Sequence, residues 1–211
     1  MSYKPDYRYI PPVTWPVLTP LYDFFCVVSG FGSQFRGKIL DAVELCDGMT
    51  VADIGCGTGV FLNVAKQSHP NVSFIGCDPD KQALVIAERR LAKAKLSVEL
   101  REAFAESLPF PDSSLDVCFS TLALHHMPDE IKRRAIGECY RVLKHGGKIV
   151  IADLGETKSV ILRKVLFFEK LEYLDGNFRG VIPQYLREIG FKNTHIAGHH
   201  FPGIDIVVAE K

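Results

Sequence analysis

The chain has 211 residues, 47% of them hydrophobic, and its 25 lysines and arginines are balanced by 25 aspartates and glutamates. This length suits one domain that buries roughly 70% of its unfolded surface without disulfide or metal support. A formal net charge of zero leaves no electrostatic attraction for nucleic acid, so we expect no nucleic-acid partner.

Nothing in the chain resembles a targeting or membrane segment. Charges and tyrosines interrupt the first ten residues, and no later apolar run approaches about 18 residues. The six cysteines occur singly, without a Cys-x-x-Cys pair, and are interpreted as reduced, buried thiols. We therefore expect a cytoplasmic protein without a transmembrane segment.

The N-terminal stretch is predicted to be irregular. Five prolines fall within residues 1–20 and exclude a regular helix there. Helical patterning begins near Leu21 and returns from Phe35 to Leu45, where Gly48 ends it. We interpret residues 1–34 as an arm or lid and residues 35–211 as the single domain.

From Thr50 onward, short apolar runs alternate with longer amphipathic ones. This alternation predicts β-α-β units and a mostly parallel sheet, the α/β, Rossmann-like, doubly wound class. The predicted strands are Val51–Ile54, Ser73–Cys77, Val98–Arg101, Asp116–Ser120 and Lys148–Ala152. The predicted helices run to about Ser68, over 80–94, and from Asp129 to Leu143, with Gly146-Gly147 as the last helix's terminator.

The C-terminal part predicts a cap and a hairpin. Ser159 to Leu174 is apolar over a wide helical arc, so residues 155–180 are interpreted as a substrate cap. Pro183–Glu188 reads as a short helix. Two strands, Thr194–Ala197 and Ile204–Ala209, are joined by so short a connection that they must pair antiparallel.

A glycine-rich turn follows the first strand. In Asp53-Ile54-Gly55-Cys56-Gly57-Thr58-Gly59, an apolar strand runs into a turn that opens a helix, which is the context of a nucleotide-binding loop. The glycines permit positive φ and let a ligand approach the backbone. Taken alone, such a turn also fits an ordinary tight strand-to-helix connection.

The next strand strengthens the ligand-binding interpretation. Asp78 stands at its carboxyl end, where a carboxylate accepts both hydroxyls of a ribose. A nicotinamide-dependent oxidoreductase would share this feature. The turn here is D-x-G-x-G-x-G rather than G-x-G-x-x-G, however, and this spacing disfavours a dinucleotide.

Five sequence blocks follow one another along the chain: Val51–Gly59, Phe74–Asp80, Ala105–Asp116, Leu124–Asp129 and Glu138–Asp153. Together they resemble the class I S-adenosylmethionine-dependent methyltransferases, in particular the ubiquinone/menaquinone C-methyltransferase-like group that acts on small molecules. The resemblance covers about residues 35–211 and implies a seven-stranded sheet whose last strand is antiparallel.

The resemblance implies roles for individual residues. Asp53 and the turn residues Gly55, Cys56, Gly57 and Gly59 would surround the methionine part of S-adenosylmethionine. Asp78 would hold the ribose, and Pro79 would flank the adenine. Phe104, Ala105 and Glu106 would contact the adenine edge, and Thr121 and Leu122 would lie beneath the sulfonium. Two positions differ from the pattern of the family: this chain has Phe104 where many relatives have an acidic residue, and His145 where many have a proline.

Catalysis rests on fewer residues. Methyl transfer is an in-line displacement, so positioning supplies much of the rate, and a general base helps where the acceptor loses a proton. His125 and His126 are the candidate bases, and the alternative is a structural hydrogen bond to the loop backbone. The aromatic arm and the apolar cap favour a small, partly apolar acceptor, such as a quinone-like ring or a lipid.

Several alternatives remain open at this point. A cofactor-binding protein on the same fold without catalysis would share these motifs, as would, less well, a nicotinamide enzyme. His195, His199 and His200 lack a carboxylate or cysteine at ligand spacing, so no metal site is predicted. The acceptor atom and the oligomeric state are not predicted.

Overall fold

The computed structural model describes residues 32–156, 174–200 and 203–211. The strands are β1 (Thr50–Ile54), β2 (Ser73–Asp78), β3 (Glu99–Glu102), β4 (Leu115–Thr121), β5 (Leu143–Leu154), β6 (Lys192–His200) and β7 (Ile204–Glu210). The helices are α1 (Ser33–Leu40), α2 (Val60–Ser68), α3 (Lys81–Lys93), α4 (Asp129–Val142), α5 (Leu174–Phe178) and α6 (Val181–Ile189), with a 3₁₀ helix over Leu124–His126.

The described strands form one seven-stranded sheet in the order β3-β2-β1-β4-β5-β7-β6. The pairs from β3 to β5 are parallel, and β7 is antiparallel to both β5 and β6. β1 lies between β2 and β4, so the chain adds strands first on one side of β1 (β2, β3) and then on the other (β4, β5). Ligands of open α/β sheets bind at the carboxyl ends of the strands where the strand order reverses in this way. The predicted fold class and hairpin are confirmed.

Helices cover both faces of the sheet, so the central strands are buried on both sides. In β5, Ile149 and Ile151 join a core cluster with α4 and α6. Val150, between them, joins the opposite cluster with α1 and α2. Because alternate residues face opposite sides of the sheet and both sides are covered, Ile149–Ala152 is apolar without interruption.

The end of α4 differs from the prediction. The helix ends at Val142, and Leu143 is already extended at φ −69° and ψ 139° and fully buried. Gly146 and Gly147 therefore lie inside β5 and do not terminate the helix. They exchange backbone hydrogen bonds with Lys211, at 3.0 and 2.9 Å, so the last residue of the chain stabilises this part of β5.

Some predicted segments lie outside the described residues. They include residues 1–31 of the predicted arm and 157–173 of the predicted cap, and the boundaries of both segments stay predictions. Among the residues that are described, no helix combines the length and apolarity needed to cross a membrane.

Candidate functional site

The glycine turn between β1 and α2 is fastened to the neighbouring strand. The N–H groups of Gly55 and Cys56 both donate to the carbonyl of Cys77, at 2.8 and 3.0 Å. Gly55, Gly57 and Gly59 all have positive φ, at +77°, +51° and +71°. Left-handed backbone at three alternate positions is accessible to glycine at little cost, and it turns the chain sharply from the strand into α2.

The glycines of this turn serve different purposes. A Cβ on Gly55 would lie 2.4 Å from the Cβ of Ala123, in the loop after β4. A Cβ on Gly57 would meet no atom of the described residues within 4 Å. Gly55 therefore permits two loops to pack together, whereas Gly57 presents bare backbone to open space where a ligand can approach.

Asp78 joins the end of β2 to the glycine turn. Its Oδ2 accepts the N–H of Gly57 at 2.8 Å, and its Oδ1 accepts the N–H of Asp80 at 2.8 Å. The side chain is buried, and this burial raises its pKa to about 6 against the lowering effect of the two hydrogen bonds. Asp78 is therefore largely ionised at neutral pH, with two backbone contacts that orient its carboxylate.

Asp53 is the most strongly perturbed carboxyl group of the turn. It is 1% exposed, and Oδ1 has no hydrogen-bond partner in the part of the chain that the structure describes. Burial, together with the charge of Asp78, raises its pKa to about 8, although Arg36 opposes the shift. Because buried polar atoms are normally paired, this oxygen indicates a site for a donor that the described residues do not supply.

The pKa of Asp53 predicts a pH-dependent stability for the protein without ligand. Unfolded Asp53 titrates near 3.8 and folded Asp53 near 8, so between these values the folded state holds the extra proton. Stability contributed by this group is therefore lost as pH rises toward 8, by about 2 kcal/mol between pH 6 and 8.

Urea unfolding of the wild type and of Asp53→Asn at pH 6, 7 and 8 checks this prediction, because the amide does not titrate. His126, whose folded pKa is near 3, changes stability in the opposite direction below about pH 6.5 in both proteins. The difference between the two curves isolates Asp53, and parallel curves would contradict the prediction.

The turn after β3 lies next to Asp78. The N–H of Ala103 donates to the Asp78 carbonyl at 3.2 Å. In the turn that follows, Ala105 and Glu106 are buried and Phe104 is half-buried, as is Pro79 after β2. The predicted adenine-contacting residues are thus brought to the carboxyl ends of β2 and β3, beside the glycine turn.

The loop after β4 completes this edge of the sheet. Leu122 has φ +53°, rare for a residue with a Cβ, and its N–H donates to the Ala152 carbonyl at 2.8 Å. Thr121 is half-buried, and its Oγ1 has no hydrogen-bond partner among the described residues. The contact between Ala123 and Gly55 holds this loop against the glycine turn.

The two candidate histidines have different surroundings. His125 is buried, and its Nδ1 lies 2.8 Å from Oδ1 of Asp153. His126 is half-buried, its Nδ1 has no partner among the described residues, and burial followed by the charge of His125 lowers its pKa to about 3. The sequence pattern does not distinguish the two histidines, whereas in the structure the Asp153 side chain is hydrogen-bonded to the His125 ring. The position of Asp153 at the end of β5, matching those of Asp53 and Asp78 on their strands, is the signal that could have identified it.

Other potentially reactive side chains either lie away from this edge of the sheet or are held in an unreactive protonation state. Burial raises the pKa of the Cys77 thiol to about 12, so it remains protonated. The His199 ring pairs with Asp205 at 2.7 Å, and the His195 ring contacts the Asn193 carbonyl. Within the described ranges, no group of three or more His, Cys, Asp or Glu side chains is arranged to hold a metal.

Known proteins match the chain across these same elements. A family model described as a methyltransferase domain matches residues 51–147. The demethylmenaquinone methyltransferase of Thermotoga maritima is 30% identical over 170 residues, which cover 78% of this chain and 72% of that protein. The ubiquinone/menaquinone biosynthesis C-methyltransferase UbiE of Geobacter sulfurreducens is 26% identical over 162 residues, 74% of this chain and 62% of that relative's length.

The fold has solved counterparts as well. A crystal structure from Thermotoga maritima, titled as an S-adenosylmethionine-dependent methyltransferase and possible histamine N-methyltransferase, superimposes with a TM-score of 0.66. The match covers 93% of this chain and 97% of that one at 22% identity, and at this identity it shows the fold alone.

Proposed function

This chain belongs to the class I S-adenosylmethionine-dependent methyltransferases, and we propose that it methylates a small, partly apolar acceptor of the quinol type with the cofactor held at the glycine turn. The observation that carries the proposal is the edge formed by the Gly55–Gly59 turn, Asp53 and Asp78. Bare backbone, a buried carboxyl oxygen without a partner among the described residues, and an oriented carboxylate meet there.

The residues present fit S-adenosylmethionine. Oδ1 of Asp53 lacks a donor among the described residues, and the cofactor's ammonium group is one. A carboxylate has about four lone-pair sites, and Asp78 uses two of them on backbone N–H groups. Two sites are left for the two ribose hydroxyls. We assign the methionine part to Asp53 and the turn residues Gly55, Cys56, Gly57 and Gly59, and the ribose to Asp78.

The remaining predicted contacts surround these two groups. Pro79 and the turn Phe104-Ala105-Glu106 are assigned to the adenine, because they adjoin the end of β2. Thr121 and Leu122 are assigned to the methyl-bearing end, because Ala123 next to them packs on Gly55. S-adenosylmethionine, when bound, supplies a methyl group on a positively charged sulfur. The protein's part is to align the acceptor with that group and to keep water out.

Gly57 provides a matched test of the cofactor assignment, with Gly48 as its control. Both have positive φ, +51° and +84°, and a Cβ at either would lie more than 4 Å from every described residue outside its own chain neighbours. We expect each alanine variant to lose about 1–2 kcal/mol of unfolding free energy through backbone strain. Only Gly57→Ala is expected to weaken S-adenosylmethionine binding, at least tenfold by calorimetry, because its new Cβ fills the ligand's approach. Equal affinities in the two variants would contradict the assignment.

The acceptor proposal is based on the names of the relatives and on the nucleophilicity that methyl transfer requires of the acceptor ring. Both curated relatives are named for quinone methylation. An oxidised quinone ring is electron-poor and a weak nucleophile, whereas its hydroquinone is enriched by two hydroxyl oxygens. Because the methyl carbon accepts an electron pair, we propose that the reduced ring is methylated, at carbon. The apolar predicted cap fits such a ring.

Transfer of labelled methyl tests this acceptor. The wild-type protein is incubated with methyl-labelled S-adenosylmethionine and a short-chain demethylmenaquinone, either reduced to its hydroquinone or left oxidised. We expect label in the organic extract with the reduced probe and at least tenfold less with the oxidised one. Cofactor binding without transfer to the reduced probe would overturn the acceptor proposal.

A further inference from the structure

Asp153, at the carboxyl end of β5, accepts hydrogen bonds from several groups at once. Its Oδ2 accepts the N–H groups of Leu124 at 2.8 Å and His125 at 3.3 Å. Its Oδ1 accepts its neighbour Leu154's N–H at 2.7 Å and faces Nδ1 of His125 at 2.8 Å. Nδ2 of Asn177 lies 3.4 Å from the same oxygen. The carboxylate therefore joins β5, the 3₁₀ helix and α5 at one buried point.

This surrounding determines which nitrogen of His125 carries the proton. The other described groups around Asp153 are donors, and although burial opposes ionisation, the His125 ring and the N–H of Leu154 hold the pKa of Asp153 below its usual range, so the carboxylate is ionised. Facing an ionised carboxylate, Nδ1 of His125 must be protonated. In the neutral ring the lone pair then lies on Nε2, for which no hydrogen bond to a described residue is found.

His126 lacks these features. Its ring lies 4.1 Å from the His125 ring, centroid to centroid, but neither carboxylate oxygen of Asp153 is bonded to it. Its Nδ1 is buried without a partner among the described residues. No hydrogen bond from a described residue orients this Nδ1, and burial together with the charge of His125 outweighs the opposing charge of Asp153 and lowers the pKa to about 3, so the geometry favours His125 as the base.

The pair is close to the proposed site. Ala123, two residues before His125, packs on Gly55 of the glycine turn. Leu122, before it, is bonded to Ala152, the residue before Asp153. The carboxyl ends of β1, β4 and β5 are thus joined by contacts that place the His125–Asp153 pair beside the cofactor turn. Its side-chain exposures of 10% and 2% are those of a shielded pair.

We propose that Asp153 is a positioning residue that holds His125 with Nε2 directed to take the proton that the acceptor loses. This role rests on the proposed function. The hydroxyl proton of a hydroquinone passes to Nε2, and the released electron pair forms the ring carbon's bond to methyl, while the methyl carbon's bond to sulfur breaks with its pair left on sulfur. The methylated carbon then loses its hydrogen as a proton and the oxygen regains one, so one net proton reaches water from His125.

Among the residues that the structure describes, two titratable groups contact the His125 ring. Asp153 lies against it from β5 and His126 beside it in the same 3₁₀ helix, and Asn177 of α5 contributes an uncharged amide. Asp153 stabilises the protonated imidazolium that forms during the reaction. Replacing a carboxylate in this arrangement leaves the histidine free to adopt the wrong tautomer.

Asp153→Asn tests the role directly. We expect kcat with the reduced demethylmenaquinone probe to fall roughly 10²- to 10⁴-fold, the usual contribution of a positioned base, with KM for S-adenosylmethionine changed less than threefold. The rate of the variant is expected to recover tenfold per pH unit from pH 7 to 9, because hydroxide then ionises the acceptor. A variant with merely loosened structure would not recover in this way.

Two further measurements test the same role without relying on the kinetics of Asp153→Asn alone. Imidazole ¹⁵N spectra are expected to show His125 protonated at Nδ1 in the wild type and at Nε2 in Asp153→Asn. His125→Gln is expected to reproduce the loss of kcat with Asp153 intact. Asp205→Asn, which breaks the 2.7 Å pair with exposed His199, is the matched control and should keep wild-type kcat.

The outcomes separate the two proposals. If the wild type methylates the probe and Asp153→Asn retains kcat within threefold, or the His125 tautomer does not change, the positioning role is wrong while the proposed function stands. If the wild type methylates no quinol probe, the proposed function fails, and this role with it.

Discussion

Asp78→Ala is expected to weaken S-adenosylmethionine binding by roughly 10- to 150-fold, which corresponds to the 1.5–3 kcal/mol typical of hydrogen bonds to a charged group. The two ribose hydroxyls would lose their acceptor. The N–H of Gly57 would also lose the carboxylate that holds it at 2.8 Å, so the turn itself would be less well ordered. Isothermal titration calorimetry at pH 7.5, where most Asp78 is ionised, measures this effect.

Asp116→Ala is the matched control for Asp78. Asp116 also accepts a backbone N–H, that of Thr50 at 2.8 Å, and pairs with Lys144 at 2.7 Å, but it lies near the start of β4, away from the turn. Its loss should lower stability without changing affinity. Asp78→Ala with unchanged affinity, or a similar loss in both variants, would contradict a ribose-binding role for Asp78.

Gly55→Ala is expected to have the largest effect on stability. Its Cβ would lie 2.4 Å from that of Ala123, and φ is +77°. Left-handed strain costs about 1–2 kcal/mol and overpacking about 1–3 kcal/mol, so we expect a loss of about 3 kcal/mol of unfolding free energy in urea. Binding of S-adenosylmethionine should fall with it, because the β4 loop is displaced from the turn.

The second site of this contact separates the two costs. In Gly55→Ala combined with Ala123→Gly, the overlapping methyl group is removed but the positive φ remains. We expect this double variant to recover about half of the lost stability relative to Gly55→Ala. If the double variant is no more stable than the sum of the single variants allows, the two loops do not pack as described.

The sheet and the glycine turn were predictable because their signals are local. Strand β2 reads as a short apolar run that ends in Asp78, and α2 begins directly after Gly59 with the spacing of an amphipathic helix. The antiparallel β6–β7 hairpin followed from the shortness of its connection. For such elements, a period of two or about 3.6 residues and the special backbone freedom of glycine are sufficient.

Distant contacts explain the rest. Gly146-Gly147 resembles a helix terminator, but burial of Leu143 and pairing with Lys211, 64 residues beyond Gly147, make it part of a strand. His125 and His126 are alike in sequence, and only Asp153, 28 residues after His125, distinguishes them. The roles of individual site residues, the domain boundaries and the cytoplasmic location stay predictions.

The most direct test of the cofactor site is a calorimetric titration of the wild-type protein with S-adenosylmethionine, S-adenosylhomocysteine and NAD. Both sulfur ligands share the groups assigned to Asp53 and Asp78, whereas NAD carries a pyrophosphate that the D-x-G-x-G-x-G turn does not suit. We predict binding of both sulfur ligands at micromolar concentrations and none of NAD. Binding of NAD, or of neither sulfur ligand, would contradict the account.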